Sequence, residues 1–474
     1  MMDFTKMYIN GKWVPGASGD FIEVENPATM QKFAKVPAGN AVDIDKAAKA
    51  AHDAFPAWAA TPLSKRIALM EKFLTIFKSQ EDELIDITIK ELGSPYNFTK
   101  SSQVEYQYVR TRSYIDLAPS VPMVEKMAES TTYREPIGVI GCITPWNYPL
   151  GQVIQKIIPA MLMGNTVILK PSQHTPLSSY YLADAFEKAG FPKGVFNLVT
   201  GRGGEVGNAM SSHPLVNMIS FTGSTSGGVT VAKHALESVK HISLELGGKS
   251  PYVILPLADH DYSEPIRLCF NSIFLNSGQT CTAFSRLLIP ESEKDVIEKQ
   301  LVEIAKEYTV GDPTSHDVKL GPVSSIQQFN KISSYIQKGI DEGATLLVGG
   351  LPKSHDHGYY IQPTIFTNVK NDMDIAQNEI FGPVLCVITY KDTDDAVAIA
   401  NDTHYGLNAG VYGKKEDAIA VAHRIEAGNV YINASPRDTA APFGGYKESG
   451  LGREGGVYGM IEFTQQKALF DTGK

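Results

Sequence analysis

The first pattern along the chain is a hairpin followed by a long helical region. Two short strand-like segments, 7–9 and 12–14, flank an Asn-Gly pair at 10–11, which favours the tight turn of a two-residue β-hairpin. Between 41 and 117 the apolar positions instead recur every three or four residues, as they do from Ile67 to Phe77. That spacing places them on one face of an amphipathic helix, so we predict a helical region there.

From residue 137 onward, short β-branched runs alternate with helical stretches. Alternation at this spacing is typical of parallel βαβ units with right-handed crossovers. Ligands of such sheets gather beyond the carboxyl ends of the strands. We predict strands at 137–143, 166–169, 196–200, 218–221 and 241–246, separated by helices near 152–163, 176–190, 204–212 and 225–237.

A second set of the same kind follows residue 248, so the pattern predicts an α/β fold with two large parts. Two further segments, 120–135 and the last dozen residues, are polar and β-prone and fit neither set. We expect both to be edge strands that pair. In the second set we predict strands at 251–255, 285–289, 345–348 and 384–390, with helices near 292–307, 325–341 and 394–402.

Composition and charge exclude several partners. The 474 residues include 43 Lys and Arg against 52 Asp and Glu, a net charge of −9, whereas nucleic-acid binding needs a basic surface. We therefore expect no nucleic-acid partner. The apolar stretch 137–155 is long enough to suggest a membrane span, but Pro145 and Pro149 interrupt it, and we expect no membrane association. The chain starts without a basic region that leads into an apolar one, which favours a cytoplasmic protein.

The cysteines and histidines predict neither a disulfide nor a metal site. The four cysteines, at positions 142, 269, 281 and 386, form no Cys-x-x-Cys pair. His355 and His357 flank one residue in a Gly/Pro-rich loop, but no third ligand is near them in the sequence. We expect free thiols and no metal.

Two glycine-rich turns, 201–207 and 223–227, each follow a predicted strand. Backbone amides in such a turn can approach a phosphate at the positive end of the next helix. Neither turn fits the Gly-x-Gly-x-x-Gly pattern, because Val206 stands where the third glycine of the first turn would fall. Tight strand-to-helix turns explain both segments as well. The sequence around Lys249 lacks the first glycine of a P-loop, since Ser243 stands there, which disfavours an ATPase.

Cys281 and Glu245 are the two side chains that most suggest chemistry. Cys281 follows a polar stretch, 276–280, that we expect to be flexible and to leave a thiolate accessible. The other three cysteines lie in apolar contexts typical of inert buried thiols. Glu245 ends an apolar strand beside two glycines, where an exposed strand-end acid is the alternative to a functional carboxylate. No histidine pattern supplies a base for a papain-like site.

Seven segments together resemble the aldehyde dehydrogenase superfamily, in the order of that family and over nearly the whole chain. They are TPWNYP at 144–149, LKPS at 169–172, FTGST at 221–225, ELGGK at 245–249, GQTC at 278–281, EIFGPV at 379–384 and PFGGYK at 442–447.

The resemblance implies a mechanism built on three residues. Cys281 would attack the aldehyde carbon and form a thiohemiacetal. The side-chain amide of Asn147 and the backbone N–H of Cys281 would donate to the oxyanion. Loss of a hydride would leave a thioester, and Glu245 would activate the water that hydrolyses it.

The resemblance also implies a fold and an assembly. We expect an aldehyde dehydrogenase-like α/β fold with a variant Rossmann domain for NAD(P), an α/β catalytic domain and a small β oligomerisation element. The expected boundaries are 1–117 and 137–247 for the cofactor domain, 248–449 for the catalytic domain, and 118–136 with 450–474 for the oligomerisation element. A homodimer or homotetramer would result.

For the cofactor, the resemblance places Lys170 and Ser172 at the adenosine ribose, Ser224 at the pyrophosphate and Glu379 at the nicotinamide ribose. Position 173, often glutamate in members that prefer NAD, is Gln173 here, which removes a charge that would repel a 2′-phosphate. We therefore predict NAD and leave NADP open. The other predicted contacts are Trp146, Gly203, Gly207, Gly223, Gly227, Leu246 and Phe381.

The resemblance places the aldehyde channel along the helix after Asn147 and the loop before Phe443. Polar residues stand there where apolar or aromatic ones are common, so we hypothesise a small, polar aldehyde that could be anionic. Side chains that point away from the channel are the alternative. The predicted channel residues are Tyr148, Gln152, Gln155, Thr280, Thr282, Arg437 and Phe443.

Two other functions stay open. A CoA-acylating semialdehyde dehydrogenase would pass the thioester to a thiol instead of water, and the presence of Glu245 argues for hydrolysis. A catalytically silent binding or structural relative would need a lesion in the chemistry, yet Cys281, Asn147 and Glu245 are all present.

Overall fold

A computed structural model describes residues 2–352 and 354–471. The strands of this structure are β1 (Met7–Ile9), β2 (Lys12–Val14), β3 (Phe21–Asn26), β4 (Gln31–Pro37), β5 (Val124–Lys126), β6 (Thr131–Pro136), β7 (Val139–Ile143), β8 (Thr166–Lys170), β9 (Phe196–Leu198), β10 (Met218–Thr222), β11 (His241–Glu245), β12 (Ser250–Ile254), β13 (Phe284–Pro290), β14 (Thr345–Val348), β15 (Thr364–Thr367), β16 (Val384–Tyr390), β17 (Tyr405–Gly406), β18 (Asn408–Tyr412), β19 (Asn429–Ile432), β20 (Tyr446–Lys447), β21 (Gly450–Leu451) and β22 (Thr464–Leu469).

The helices connect these strands, and π-helical turns at Thr99–Glu105 and Gly203–Gly207 precede two of them. The helices are α1 (Ala41–Ala59), α2 (Leu63–Lys78), α3 (Glu81–Leu92), α4 (Tyr96–Phe98), α5 (Tyr106–Leu117), α6 (Gly151–Leu162), α7 (Ser178–Ala189), α8 (Asn208–Ser212), α9 (Thr225–Leu236), α10 (Ser263–Ile273), α11 (Lys294–Ala305), α12 (Ile326–Asp341), α13 (Asp374–Gln377), α14 (Thr393–Asn401), α15 (Lys415–Ala422) and α16 (Gly456–Ile461).

The first lobe is built on an eight-stranded sheet with the order β2-β1-β9-β8-β7-β10-β11-β21. Its central strands β9, β8, β7, β10 and β11 run parallel, as the alternating pattern predicts. The predicted N-terminal hairpin forms an antiparallel edge, and both turn residues, Asn10 and Gly11, have positive φ. Helices α1, α8 and α9 cover one face and α2, α6 and α7 cover the other. Because both faces are buried, the central strands are continuous apolar runs.

The second lobe is built on a seven-stranded sheet with the order β14-β15-β16-β13-β12-β18-β19. All neighbours in it are parallel except β14, which pairs antiparallel with β15. The four predicted strands are present, but β15, β18 and β19 escaped prediction. β15 and β19 are only four residues long, and Asn408 and Gly410 break the β-branched pattern of β18.

A separate three-stranded antiparallel sheet joins the two leftover segments, in the order β22-β6-β5. Strand β22 pairs with β6 at six positions, from Thr464 opposite Pro136 to Leu469 opposite Thr131. The pairing of these segments is therefore confirmed, while their role in oligomerisation stays a prediction. Residues 450–461 differ from the expected division, because β21 pairs with β11 of the first lobe and α16 packs against α5 and α6.

Strands β7, β10 and β11 end side by side, so their following loops, which begin at Thr144, Gly223 and Leu246, meet at one edge of the sheet. The second lobe contributes the segment before β13, which contains Cys281, to the same place. Within the described part of the chain, no helix combines the length and apolar character needed to cross a membrane.

Candidate active site

Cys281 lies where two cavities meet. Its side chain is partly exposed, and both cavities are lined by Cys281 and Gln152. Burial, together with the carboxylates of Glu379 and Glu245, raises the pKa of the Cys281 thiol to about 12. The thiol is thus the resting form here, and a reaction at sulfur needs a proton acceptor.

The stretch before Cys281 is rigid, which corrects the expectation of a flexible loop. Asn276, Ser277 and Gln279 are all buried. The Gln279 side chain donates to Asn276 O at 2.9 Å and accepts from Ser324 N at 2.8 Å, while Ser277 Oγ donates to Gly321 O at 2.8 Å. The polar side chains here form internal hydrogen bonds, because the backbone N–H and C=O groups of a buried loop need partners within the protein.

Asn147 is held against this stretch from three directions. Its side-chain Nδ2 donates to Gln279 O at 2.9 Å. Its carbonyl accepts from Gln103 Nε2 at 3.0 Å and from Asn276 Nδ2 at 2.9 Å. The amide is therefore oriented beside the residues that lead to Cys281, and its second N–H is available to a ligand.

Glu245 is buried at the end of β11, which contradicts the alternative of an exposed strand-end acid. Neither carboxylate oxygen has a hydrogen-bond partner among the described residues. Burial raises the pKa of Glu245 well above its usual value, and the nearby Glu454 carboxylate raises it further. Glu454 itself forms a buried ion pair with Lys156, at 2.5 Å between Oε1 and Nζ. Glu245 therefore holds a proton more readily than an exposed carboxylate does, as is common for groups that transfer protons.

The first cavity runs from Cys281 to the N-terminus of α9. Trp146 and Phe381 meet edge to face in its wall, with ring centroids 5.3 Å apart. Glu379 is buried there, and its Oε1 accepts a hydrogen bond from Gly248 N at 3.0 Å. Of the predicted cofactor contacts, this cavity brings together Trp146, Gly223, Ser224, Leu246, Glu379 and Phe381.

The remaining predicted cofactor contacts do not line this cavity. Lys170 is buried, and its Nζ donates to Pro171 O at 3.0 Å. Ser172 Oγ accepts from His174 N at 3.3 Å. Gln173 lines a separate cavity of about 650 Å³ together with Arg202. The three glycines lie in turns outside the first cavity, Gly203 and Gly207 in the π-helical turn and Gly227 in the first turn of α9.

The second cavity, of about 250 Å³, contains every predicted channel residue. These residues therefore line one cavity, and its use as the aldehyde channel stays a prediction. Tyr148 OH and Thr280 Oγ1 lie 2.7 Å apart in its wall. Asp438, the acid beside Arg437, instead lines an adjoining outer cavity that opens past Arg437.

Sequence reasoning missed the helical wall of the second cavity, which includes Tyr106, Gln107 and Arg110. These residues lie on α5, inside the long region for which only helical periodicity was predicted. A signal did exist: polar or hydroxylated side chains recur every three or four residues on the buried face, at Gln103, Gln107, Arg110 and Tyr114. A polar stripe on a buried helical face is unusual for a purely structural helix.

The described residues hold no group of three or more His, Cys, Asp or Glu side chains arranged to bind a metal ion. The site contains a thiol, an amide and a buried carboxylate.

These features define a two-lobed α/β protein with a thiol at the junction of two cavities. The sequence model of the aldehyde dehydrogenase family matches residues 13–469, and the chain belongs to that family. A relative from Staphylococcus aureus (strain USA300), named for the same family, is 45% identical over 477 residues and 99% of each chain.

Solved structures agree with this assignment. Aldehyde dehydrogenase C of Pseudomonas syringae, a cysteine-to-alanine mutant in complex with NAD+ and octanal, is 41% identical, with a TM-score of 0.97 over 99% of this chain and 98% of that one. Betaine aldehyde dehydrogenase of Staphylococcus aureus, in complex with NAD+, is 35% identical, with a TM-score of 0.94 over 98% and 94%. The aldehyde dehydrogenase fold predicted from the seven segments is confirmed.

Proposed function

We propose that this chain oxidises an aldehyde to its carboxylic acid, with NAD as the hydride acceptor and NADP as a second candidate. The observation that carries the proposal is Cys281 at the junction of the two cavities, with Asn147 in the wall of the first cavity and the buried Glu245 carboxylate near enough to raise the pKa of the thiol. Relatives with the same fold are complexed with NAD+.

The first cavity fits the nicotinamide half of a dinucleotide. At one end Ser224 caps α9, where free backbone amides and the positive helix end suit a pyrophosphate. Toward Cys281, the Glu379 carboxylate is positioned to accept from a ribose hydroxyl. A Cβ at Gly247 would lie 2.7 Å from Glu379 Oε2, so glycine is needed to leave that carboxylate in place. Lys170, Ser172 and Gln173 would border the adenosine end.

In the first half-reaction, Cys281 attacks the aldehyde carbon and forms a thiohemiacetal. Because the pKa of Cys281 is raised to about 12, its proton must leave as the bond forms. Glu245, whose two oxygens lack partners, is the nearby acceptor. Asn147 Nδ2 and the Cys281 backbone N–H would stabilise the oxyanion. When bound, NAD would accept the hydride that the thiohemiacetal loses on becoming a thioester.

Before the second half-reaction, Glu245 releases the proton of Cys281 to solvent, and it then removes a proton from the water that attacks the thioester. Its raised pKa makes Glu245 a stronger base than an exposed carboxylate. This role favours hydrolysis over acyl transfer to CoA. The acid then leaves, and Cys281 regains its proton.

The test is the formation of NADH from NAD with a short aldehyde such as propanal. The absorbance of NADH measures the rate. Wild type should turn over, and Cys281→Ala should lose at least about 10³-fold in kcat. Cys269→Ala is the matched control, since Cys269 is buried in the core of the second lobe. Turnover in Cys281→Ala would refute the nucleophile. A product that forms only with CoA would favour the acylating alternative, and cofactor binding without any oxidation would favour a silent relative.

The assembly belongs to the same proposal. Strand β22 and the residue after it expose apolar side chains, with Leu469 49% and Phe470 81% exposed. Together with the unpaired outer edge of β22, these side chains support pairing with a second copy in a homodimer or homotetramer. The free thiols support a cytoplasmic location.

A further inference from the structure

Arg110 is a buried cation in the wall of the second cavity. It lies on α5 and is only 9% exposed. Its Nη1 donates to Gln107 Oε1 at 2.8 Å and to Gly151 O at 3.1 Å, and its guanidinium lies 5.1 Å from the ring centroid of Tyr106. Both hydrogen bonds leave from one nitrogen, so Nε and Nη2 have no partner within the described ranges. These two nitrogens form the side-on edge of the guanidinium that binds a carboxylate with two parallel hydrogen bonds.

Arg110 also lacks a counterion. No carboxylate of the described residues lies within 4.0 Å of its guanidinium. Glu454, whose charge acts on Arg110, pairs with Lys156, and Asp438, which lines the outer cavity with Arg110, accepts through Oδ1 from Ala440 N at 2.8 Å. A charge that is removed from water without a partner is costly, and proteins normally pair it.

A second guanidinium makes this arrangement more unusual. Arg437 lies over the ring of Phe443, 4.8 Å from its centroid, and lines the same two cavities as Arg110. Desolvation, together with the charge of Arg437, lowers the pKa of Arg110 to about 10. Two like charges that face one cavity repel each other until an anion lies between them.

The position of this pair relative to the thiol defines a length. Arg110 and Arg437 line both the second cavity and the outer cavity. Of these two cavities, Cys281 lines only the second. The guanidiniums therefore stand at the junction with the outer cavity, and the thiol stands at the inner end. A ligand that spans the second cavity has one end at Cys281 and the other at the two arginines.

We propose that the aldehydes oxidised by this chain carry a carboxylate, bound by Arg110 with Arg437 while the aldehyde carbon lies at Cys281. This assignment rests on the proposed aldehyde oxidation and adds the substrate class to it. The second cavity is small, about 250 Å³, and contains one aliphatic side chain, Leu275, which suits a short ω-oxo acid better than a long alkyl aldehyde.

The experiment compares 4-oxobutanoate and 5-oxopentanoate, each with its uncharged methyl ester, at saturating NAD. The acid of the preferred length should exceed its ester by at least about tenfold in kcat/KM, as expected for charge-assisted hydrogen bonds. Arg110→Met and, separately, Arg437→Gln should lower this acid-to-ester ratio, Arg110→Met by about ten- to a hundredfold. Because the ratio is measured within one preparation, partial loss of folded protein cancels.

Arg112→Met is the matched control. Arg112 lies on the same helix but pairs at the surface with Glu71, at 2.5 Å, and lines neither cavity. Its variant should keep both the activity and the acid-to-ester ratio of wild type.

A second measurement needs no turnover. Succinate is a dicarboxylate like the product of an oxidised ω-oxo acid. It should slow the alkylation of Cys281 by iodoacetamide in wild type and in Arg112→Met. Mass spectrometry measures the fraction of Cys281 that is alkylated. The protection should be lost in Arg110→Met. Equal kcat/KM for acid and ester in wild type, or an unchanged ratio in Arg110→Met, would overturn the carboxylate site. A stronger preference for glyceraldehyde 3-phosphate would replace the carboxylate with a phosphate. Failure of every aldehyde to reduce NAD would instead refute the proposed function, and succinate protection would still report on the anion site.

Discussion

The contact between Gly278 and the chain at Gly382 offers a quantitative test of how the site is assembled. Gly278 has φ +78°, and a Cβ built there would lie 2.0 Å from Gly382 C and 2.4 Å from Pro383 N. Gly278 precedes Cys281 by one turn of chain, and Gly382 follows Phe381 of the first cavity. The two backbones can approach this closely only because position 278 has no side chain.

Gly278→Ala should therefore be strongly destabilising. The left-handed conformation costs a non-glycine residue about 1 kcal/mol, and forced overlap in a packed interior adds about 1–3 kcal/mol. The sum, about 2–4 kcal/mol, has to be relieved by separating the segments that hold Cys281 and Glu379. Both stability and NAD reduction should fall.

Gly343→Ala is the control, because Gly343 has φ +85° but nothing within 4 Å of its Cβ position. It carries the conformational cost alone, about 1 kcal/mol. Urea unfolding midpoints of both variants, together with the rate of Cys281 alkylation, measure the difference. If Gly278→Ala unfolds at the same urea concentration as Gly343→Ala, the close contact does not hold the site together and the reasoning is refuted.

Three further predictions concern the reaction. Glu245→Gln should release NADH in one slowed burst per active site, because the acceptor of the Cys281 proton is lost, and should then stall at the thioester; unaltered steady-state turnover would exclude Glu245 as the base. Glu454→Gln removes a negative charge that raises the pKa of Glu245 and leaves the Lys156 cation beside it, so the pKa should fall and the rising limb of thioester hydrolysis against pH should move to lower pH. A shift to higher pH would contradict this sign. Gln173→Glu places a negative charge in the cavity that contains Arg202, and should lower kcat/KM for NADP more than for NAD by about tenfold. An unchanged ratio would dismiss the charge argument.

Much of the fold was readable because it depends on local pattern. The hairpin at 7–14 and the alternation of strands and helices from 137 onward follow from turn chemistry and periodicity, which are properties of neighbouring residues. The strands that escaped prediction are short or contain Asn and Gly, and their strand conformation comes from pairing with distant partners, as for β18 beside β12.

The candidate site divides in the same way. Cys281, Glu245 and Asn147 stood out through motifs, and every predicted channel residue lines the second cavity. The same reasoning predicted a flexible loop at 276–280. A run of polar residues has the same sequence whether its side chains form hydrogen bonds to water or to buried backbone groups. Only the folded chain shows that Ser277 and Gln279 bond to 321 and 324.

The sequence by itself therefore determined the α/β class, the family and the identity of the reactive groups, since these depend on residue type and order. The tertiary structure decided which charges are paired and which are not. Lys156 and Glu454 neutralise each other although they lie 298 positions apart, whereas Arg110, in a helix with no recognisable motif, has no acid beside it. Electrostatic energy depends on distance and burial, and neither quantity can be read from positions along a chain. For that reason the chemistry of the reaction and a polar aldehyde could be anticipated from the sequence, while the unpaired cation that favours a carboxylate on the substrate is visible only in the folded cavity.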